Sequence, residues 1–125
     1  MQTLAPAFSV TRDDRHREIH WSVAGFWGNE DVVAFSQKLL EVSKPFRDDS
    51  QNFKALGDIS DFAVQSAAMA EHIRNTQSVS ASVGVKKLAV LFKTTLVKQQ
   101  FRRVSEALDC QFFTDRDEAL KWLRS

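Results

Sequence analysis

The stretch KKLAVLF, residues 86–92, decides the fold class of this 125-residue chain. Two lysines precede an unbroken run of apolar residues. A short apolar run behind polar residues is typical of a strand that is covered on both faces of its sheet. Strands of this kind alternate along the chain with helices that cross over the sheet. The stretch therefore predicts an α/β fold.

The residues that follow continue this alternation. Apolar side chains recur at helical spacing, namely Val97, Phe101, Val104 and Leu108. Thr94 or Thr95 is placed to cap this helix. DCQFF, residues 109–113, predicts a short strand, and Thr114 with Asp117 forms a capping pattern for a last helix.

The first quarter of the chain is strand-like. In REIHWSVAG, residues 17–25, apolar Ile19, Trp21 and Val23 alternate with polar residues, as expected when one face is buried. Phe8 and Val10 repeat the pattern, and the polar DDRHR between the two segments suits a hairpin turn. We therefore expect an initial antiparallel pair that ends at Gly25.

The middle of the chain predicts a helix, a strand and a weaker helix. The first helix is capped by Asn29 and ends near Pro45, because the residue before a proline avoids the helical conformation. FKALGDI, residues 53–59, predicts a short buried strand ended by GDISD. In the Ala- and Ser-rich segment 63–83 we expect a helix at first, followed after Asn75 by a loop or a frayed turn. Its small side chains favour a mobile cover over an apolar ligand.

These elements predict one α/β domain over residues 1–125, with a mixed sheet of about five strands, an initial antiparallel hairpin and flanking helices. The 17 basic and 16 acidic residues nearly balance, so the total charge predicts no nucleic-acid partner. The lone cysteine and the lack of a leader-like start predict a cytoplasmic protein. No apolar run reaches the roughly 20 residues of a membrane-spanning helix, so any membrane contact is expected to be peripheral.

The last third of the chain carries a familiar pattern, formed by Lys86, Lys87, Phe113, Asp115, Asp117, Glu118, Ala119, Trp122 and Leu123. It resembles the SpoIIAA-like family, bacterial domains related in fold to the sulfate-transporter and anti-sigma-factor-antagonist (STAS) domain. In that family a basic residue precedes a buried strand, and an acidic segment followed by Trp-Leu closes the chain. The resemblance implies a mixed sheet flanked by helices, no established enzymatic activity, and a role in binding ligands, membrane surfaces or protein partners.

The same resemblance raises the question of a phosphorylated serine. Anti-sigma antagonists carry such a serine in an Asp-Ser-Ser-Gly type motif at a helix start. Here FAVQSAAM, residues 62–69, places Ser66 nearest to that position, without the preceding aspartate or the following glycine. Ser60 and Ser66 are the candidate partner-contact or phosphorylation sites, and the loop 57–66 is the candidate contact surface. The missing motif residues argue against a kinase-driven switch.

The chemistry-bearing residues do not favour an enzyme. Asp58, Ser60 and Asp61 lie together, but no nucleophile, histidine base and orienting acid accompany them, and a turn or helix-capping role explains them. His16 and His20, four residues apart on a strand, are about 13 Å from each other and cannot share a metal ion. We therefore predict no catalytic residue, no metal and no cofactor. A small hydrolase at this loop is the third-ranked alternative.

Charge placement leads to the preferred function. Six basic residues and no acid lie between residues 86 and 103. Lys98 and Arg102 are one helical turn apart and share a face. They form a basic patch there, unless Glu71 or Asp115 neutralises its charge in the fold.

The sequence thus predicts a domain that binds a small amphipathic or lipid-like ligand, or an anionic membrane surface. The candidate ligand-binding residues are Phe26, Trp27, Asp58, Ala67, Ala70, Lys98 and Arg102. The main alternative is a regulatory module for a protein partner, of the anti-sigma-antagonist type. A homodimer is compatible with either function.

Overall fold

The computed structural model describes residues 5–49 and 51–125. The strands are β1 (Ala7–Asp13), β2 (Glu18–Gly25), β3 (Phe53–Phe62), β4 (Val85–Leu91) and β5 (Cys110–Phe113). The helices are α1 (Asn29–Asp48), α2 (Ala67–Ser82), α3 (Thr95–Val104) and α4 (Arg116–Leu123).

The strands form one mixed sheet in the order β1-β2-β3-β4-β5. β1 and β2 are antiparallel, and every other neighbouring pair is parallel. This confirms the predicted mixed sheet with its initial antiparallel hairpin. β4 is the strand that KKLAVLF predicts. It lies between β3 and β5, and its Ala89 and Val90 are fully buried.

The two faces of the sheet are covered unequally. α1, α2 and α3 cover one face, where Trp21 and Phe101 belong to the main hydrophobic core. α4 packs on the other face, where Ala119 and Leu123 join Leu56 in a smaller core. Among the described residues, none of the helices combines the length and the apolar character that crossing a bilayer requires.

Two helix caps differ from the prediction. The N-cap of α1 is Gly28 rather than Asn29, and the Gly28 N–H donates to a carboxylate oxygen of Asp31 at 2.8 Å. The N-cap of α4 is Asp115, one residue later than predicted, and its carboxylate accepts the N–H of Asp117 at 2.8 Å. In both helices an aspartate side chain binds a backbone donor that has no partner within the helix.

The predicted end of α1 near Pro45 is wrong, because the helix continues to Asp48. A proline inside a helix removes one backbone hydrogen bond. The next residue, Phe46, is 3% exposed and packs against Phe53 with ring centroids 5.5 Å apart. The Arg17 guanidinium lies 4.6 Å from the centroid of the Phe46 ring. Burial of Phe46 stabilises the last turn and offsets the lost bond.

β3 is longer than predicted, since GDISD lies inside the strand and does not end it. The strand continues because it pairs with β2 as far as Gly25, which is opposite Phe62. Gly57 lies directly against the ring of Trp21, so closely that a β-carbon at position 57 would overlap the ring atoms. The sequence therefore needs glycine at this point of the sheet.

α2 continues to Ser82, so the predicted loop after Asn75 is also wrong. Ser66 caps the helix at its start, and Gln77 holds the second half in place by donating to the Ser105 hydroxyl at 3.0 Å. Tertiary contacts of this kind stabilise helices whose own residues have weak helix propensity.

Candidate functional site

A cavity of about 470 Å³ lies between α1 and α2, over the middle of the sheet. Its base includes Ile19, Trp21, Val23, Ala55, Phe62 and Leu88. Short side chains of α2, among them Thr76 and Ser80, line the space on the side that faces α1. The volume is within the roughly 300 to 1,000 Å³ that is usual for small-molecule sites.

Apolar side chains also surround the cavity where it meets the surface. Four apolar residues at this edge line the cavity and are between 36% and 53% exposed. They are Val33 and Leu40 of α1, Val79 of α2, and Val83, which caps the end of α2. Water-exposed apolar side chains that are continuous with an apolar cavity often mark a binding surface.

The polar residues of the cavity are neutral. They are Ser36, Gln37 and Ser43 of α1, and Asn75, Thr76, Gln77 and Ser80 of α2. Of the described residues that line the cavity, none is Asp, Glu, Lys or Arg, and His72 is the titratable one. The site can therefore hold apolar surface and form hydrogen bonds, but it offers no fixed charge.

Trp27 forms a rigid wall of this cavity, after the end of β2. It is 3% exposed, and its indole N–H donates to the Ala24 carbonyl at 2.8 Å. Its ring packs edge-to-face against Phe35 and Phe62, with both centroid distances 5.3 Å. These contacts leave the indole little freedom to move.

Hydrogen bonds of Gln65 hold the Trp27 backbone in position. The Gln65 side-chain oxygen accepts the backbone N–H of Trp27 at 2.9 Å, and its amide donates to the carbonyls of Gly25 and Ala63 at 3.0 and 2.6 Å. The backbone of Gln65 exchanges two 2.8 Å hydrogen bonds with the Gln100 side chain. Sequence reasoning missed Gln65, because an isolated glutamine in a loop has no periodic signal.

Trp27 is the predicted ligand-binding residue that the structure places in the cavity. Its neighbour Phe26 is 47% exposed and does not line it. Ala67 is exposed at the start of α2, and Ala70 packs against the main core outside the cavity. The predicted site is thus only partly assembled at this location.

Lys98 and Arg102 lie on α3, away from the cavity lining. The Lys98 ammonium is 4.8 Å from the centroid of the Phe92 ring. Neither Glu71 nor Asp115 forms an ion pair with these two cations in the described parts of the chain. The role of Lys98 and Arg102 toward an anionic ligand or membrane stays a prediction.

Asp58 is separated from the cavity by the sheet, and Ser60 does not line the cavity. The Asp58 carboxylate accepts the Ser60 N–H at 2.9 Å. Alternation along β3 places the Asp58 side chain on the face of Leu56, which packs with α4. Ser66 is exposed at the N-cap of α2, where its hydroxyl accepts the Met69 N–H at 3.1 Å. The roles of Ser60 and Ser66 as partner-contact or phosphorylation sites stay predictions, as does the role of Asp58 in ligand binding.

A cluster of charged and titratable side chains surrounds the buried Glu18 at the opposite end of β2. Glu18 is fully buried, and its two carboxylate oxygens accept hydrogen bonds from the Arg124 guanidinium, both at 2.9 Å. One oxygen also lies 2.9 Å from His20 Nε2. Burial raises the pKa of Glu18, but the hydrogen bonds from Arg124 and His20 outweigh it, so the pKa lies below its ordinary value of 4.5.

This cluster contains ligand types that suit a metal ion. Atoms of Asp13, Glu18 and His20 lie within 4.8 Å of one another. The Arg124 guanidinium, however, bonds both oxygens of Glu18 and lies 3.6 Å from the Asp13 carboxylate. A positive side chain thus already balances these carboxylates, and the cluster joins α4 to the first hairpin.

Cys110 has the environment of a core residue. Its side chain packs against the main hydrophobic core, and burial raises the pKa of its thiol to about 12. A thiol with this pKa is almost entirely protonated near neutral pH and is a weak nucleophile.

The comparisons with known proteins concern the fold. No family model matches the chain, and no curated protein matches it closely enough to be counted. A solved structure from Shewanella loihica PV-4, an uncharacterized protein of the DUF3478 family with a SpoIIAA-like fold, has a TM-score of 0.72. It is 19% identical, and 98% of each chain is covered.

An anti-sigma factor antagonist from Mycobacterium paratuberculosis is also similar, with a TM-score of 0.58 and 13% identity. The match covers 95% of this chain and 96% of that one. The chain therefore has a SpoIIAA-like fold, as the pattern in its last third predicts.

Proposed function

We propose that this protein is a non-enzymatic binding protein that takes up a small, mainly apolar ligand in the cavity between α1 and α2. The observation that carries the proposal is the cavity itself, with its 470 Å³ volume and its apolar walls. A well-packed core leaves few voids larger than a water molecule, so a space of this size needs an explanation. The exposed apolar residues at its edge give a ligand an entry route.

The residues of the cavity support binding without chemistry. Serines line it, but the His72 ring forms no hydrogen bond with any of them in the described structure. No carboxylate or cysteine lies among its described lining residues. A nucleophile with a positioned base and an orienting acid, the usual requirement for acyl transfer or hydrolysis, is not assembled there.

Replacing Ser80 by phenylalanine is expected to block the cavity. Ser80 lines it from α2, and burial of the new ring in the apolar space is favourable. We expect the affinity for diphenylhexatriene, an uncharged fluorescent hydrocarbon, to fall at least about tenfold, or roughly 1.4 kcal/mol. The enhancement of probe fluorescence on titration with protein measures this affinity.

Ser78→Phe is the matched control for this experiment. Ser78 is an exposed residue of the same helix and does not line the cavity. Its variant is expected to bind diphenylhexatriene like the unmodified protein. Equal affinities of the Ser80→Phe and Ser78→Phe variants would contradict the proposed site, provided both melt cooperatively by circular dichroism.

A protein-partner module is the second candidate function, and a different surface favours it. Phe26, Val64 and Leu96 follow the ends of β2, β3 and β4, and they are 47%, 48% and 70% exposed. The carboxyl edge of the parallel strands thus carries separate apolar contacts for a partner. The similar fold of an anti-sigma factor antagonist supports this candidate.

Native mass spectrometry of gently purified protein distinguishes the two functions. A retained mass of a few hundred daltons favours the cavity, whereas a retained protein mass that Leu96→Asp removes favours the partner module. A doubled mass would identify a homodimer.

A further inference from the structure

We infer that the occupant of the cavity is an uncharged amphipath whose polar end, such as a hydroxyl group, hydrogen-bonds to Gln77; this inference rests on the proposed function. The polar lining is entirely neutral apart from His72. A carboxylate or ammonium group inside this space would lose its hydration without meeting an opposite charge. A hydroxyl group needs only hydrogen-bond partners, which the cavity has.

Gln77 is the polar residue best placed to select such a group. It is 7% exposed and lines the cavity from the second half of α2. Its amide nitrogen donates to the Ser105 hydroxyl at 3.0 Å, whereas its carbonyl oxygen accepts no hydrogen bond in the described structure.

That carbonyl oxygen is not sealed inside the protein. Among the described residues, every fully buried side-chain nitrogen or oxygen atom has a hydrogen-bond partner. The unpartnered oxygen of Gln77 must therefore face space that solvent or a ligand can reach, and Gln77 borders the cavity.

A hydroxyl also suits both orientations of the amide. The Ser105 hydroxyl can accept from the amide nitrogen or donate to the amide oxygen. The group that Gln77 presents to the cavity is an acceptor in one case and a donor in the other. An alcohol can satisfy either one.

The test compares three ligands that share a ten-carbon chain. 1-Decanol carries a hydroxyl, 1-chlorodecane has no hydrogen-bond donor, and decanoate is ionised at pH 8. Each displaces diphenylhexatriene, and the displacement curve gives its affinity. Because an alcohol is in any case less hydrated than a carboxylate, the decisive quantity is the change that Gln77→Met produces in each affinity.

Gln77→Met keeps the length of the side chain and removes its hydrogen-bonding groups. We expect it to weaken 1-decanol binding about three- to tenfold, as one hydrogen bond implies, with 1-chlorodecane and the probe within about twofold. Ser105→Ala is the matched control, since it breaks the same internal hydrogen bond but keeps the Gln77 amide. It is expected to retain 1-decanol binding.

Three results would overturn the inference. In the first, Gln77→Met weakens 1-decanol and 1-chlorodecane equally, which means that it only loosens the helix. In the second, Ser105→Ala has the same effect as Gln77→Met. In the third, the unmodified protein binds decanoate as tightly as 1-decanol. Failure of the unmodified protein to bind the probe and all three ligands is distinguishable, because it rejects the proposed function as well.

Discussion

Replacing Arg124 by alanine is expected to destabilise the protein by about 1 to 3 kcal/mol, because the buried Glu18 carboxylate loses the hydrogen bonds of a partly exposed guanidinium. Glu18 is fully buried, and Arg124 supplies hydrogen bonds to both of its oxygens. Without the guanidinium, the buried Glu18 carboxylate keeps His20 as its one side-chain partner among the described residues. Urea unfolding followed by circular dichroism at pH 7 measures the free energy of unfolding.

The effect of Arg124→Ala should depend on pH in one direction. The pKa of Glu18 is lower in the folded protein than its ordinary value of 4.5, so its ionised form stabilises the fold above that pH. The contribution is lost as the pH falls through the lowered pKa. We therefore expect the difference between the unmodified protein and the variant to shrink between pH 7 and pH 3.

Arg15→Ala is the control for this prediction. Arg15 is exposed in the first hairpin and has no ion-pair partner in the described residues. Its replacement is expected to change stability by about 0.5 kcal/mol or less. If Arg124→Ala were equally mild at pH 7, or if its effect were the same at pH 3, the buried pair would not have the role described above.

Replacing Gly57 by alanine is expected to cost about 2 to 3 kcal/mol, as other overpacking substitutions in cores do. The new β-carbon would overlap the Trp21 ring. That ring is held between Phe35 and Phe101, with centroid distances of 5.7 and 5.9 Å. Because Trp21 lines the cavity, the free space there is the direction in which it can move.

Gly57→Ala should consequently also weaken the binding of diphenylhexatriene, since a displaced indole occupies part of the cavity. A double-mutant cycle with Trp21→Phe tests the cause. The smaller ring relieves the overlap, so the two substitutions together are expected to cost less than the sum of their separate costs. Strict additivity in the free energy of unfolding would show that the glycine is needed for another reason.

The architecture of the cavity supports the proposed binding function. Its rigid side consists of the sheet and Trp27, which Gln65 and two aromatic rings hold in place. Its other side is α2, in which only Met69 and Gln77 are buried. An apolar ligand would add contacts that α2 lacks, and so would stabilise the folded state by mass action.

Part of the candidate site was present in the sequence. The position of Trp27 after a predicted strand indicates a pocket residue, and the Ala and Ser content of segment 63–83 indicates little packing. A signal for the α1 side also existed. Val33 and Leu40 widen the apolar stripe of α1 beyond the residues that pack on the sheet. Both line the cavity.

Other site residues had no sequence signal of their own. Gln65 and Gln77 are single polar residues in segments without strong periodicity, and their partners Trp27 and Ser105 are 38 and 28 residues away. Lys98 and Arg102 had the clearer pattern, because they share a helix face. That face, however, belongs to α3 and not to the cavity.

The amino-acid sequence alone predicts the order of the elements and the mixed sheet, because the spacing of apolar residues shows which face of each helix or strand is buried. The SpoIIAA-like fold is what the resemblance of the last third of the chain implies. Only the tertiary structure decided that α1 passes Pro45, that α2 reaches Ser82 and that a cavity separates them. The physical reason is the same for all three. Burial of Phe46, the hydrogen bond of Gln77 and the distance between two helices are properties of elements packed together, and local spacing contains no measure of them.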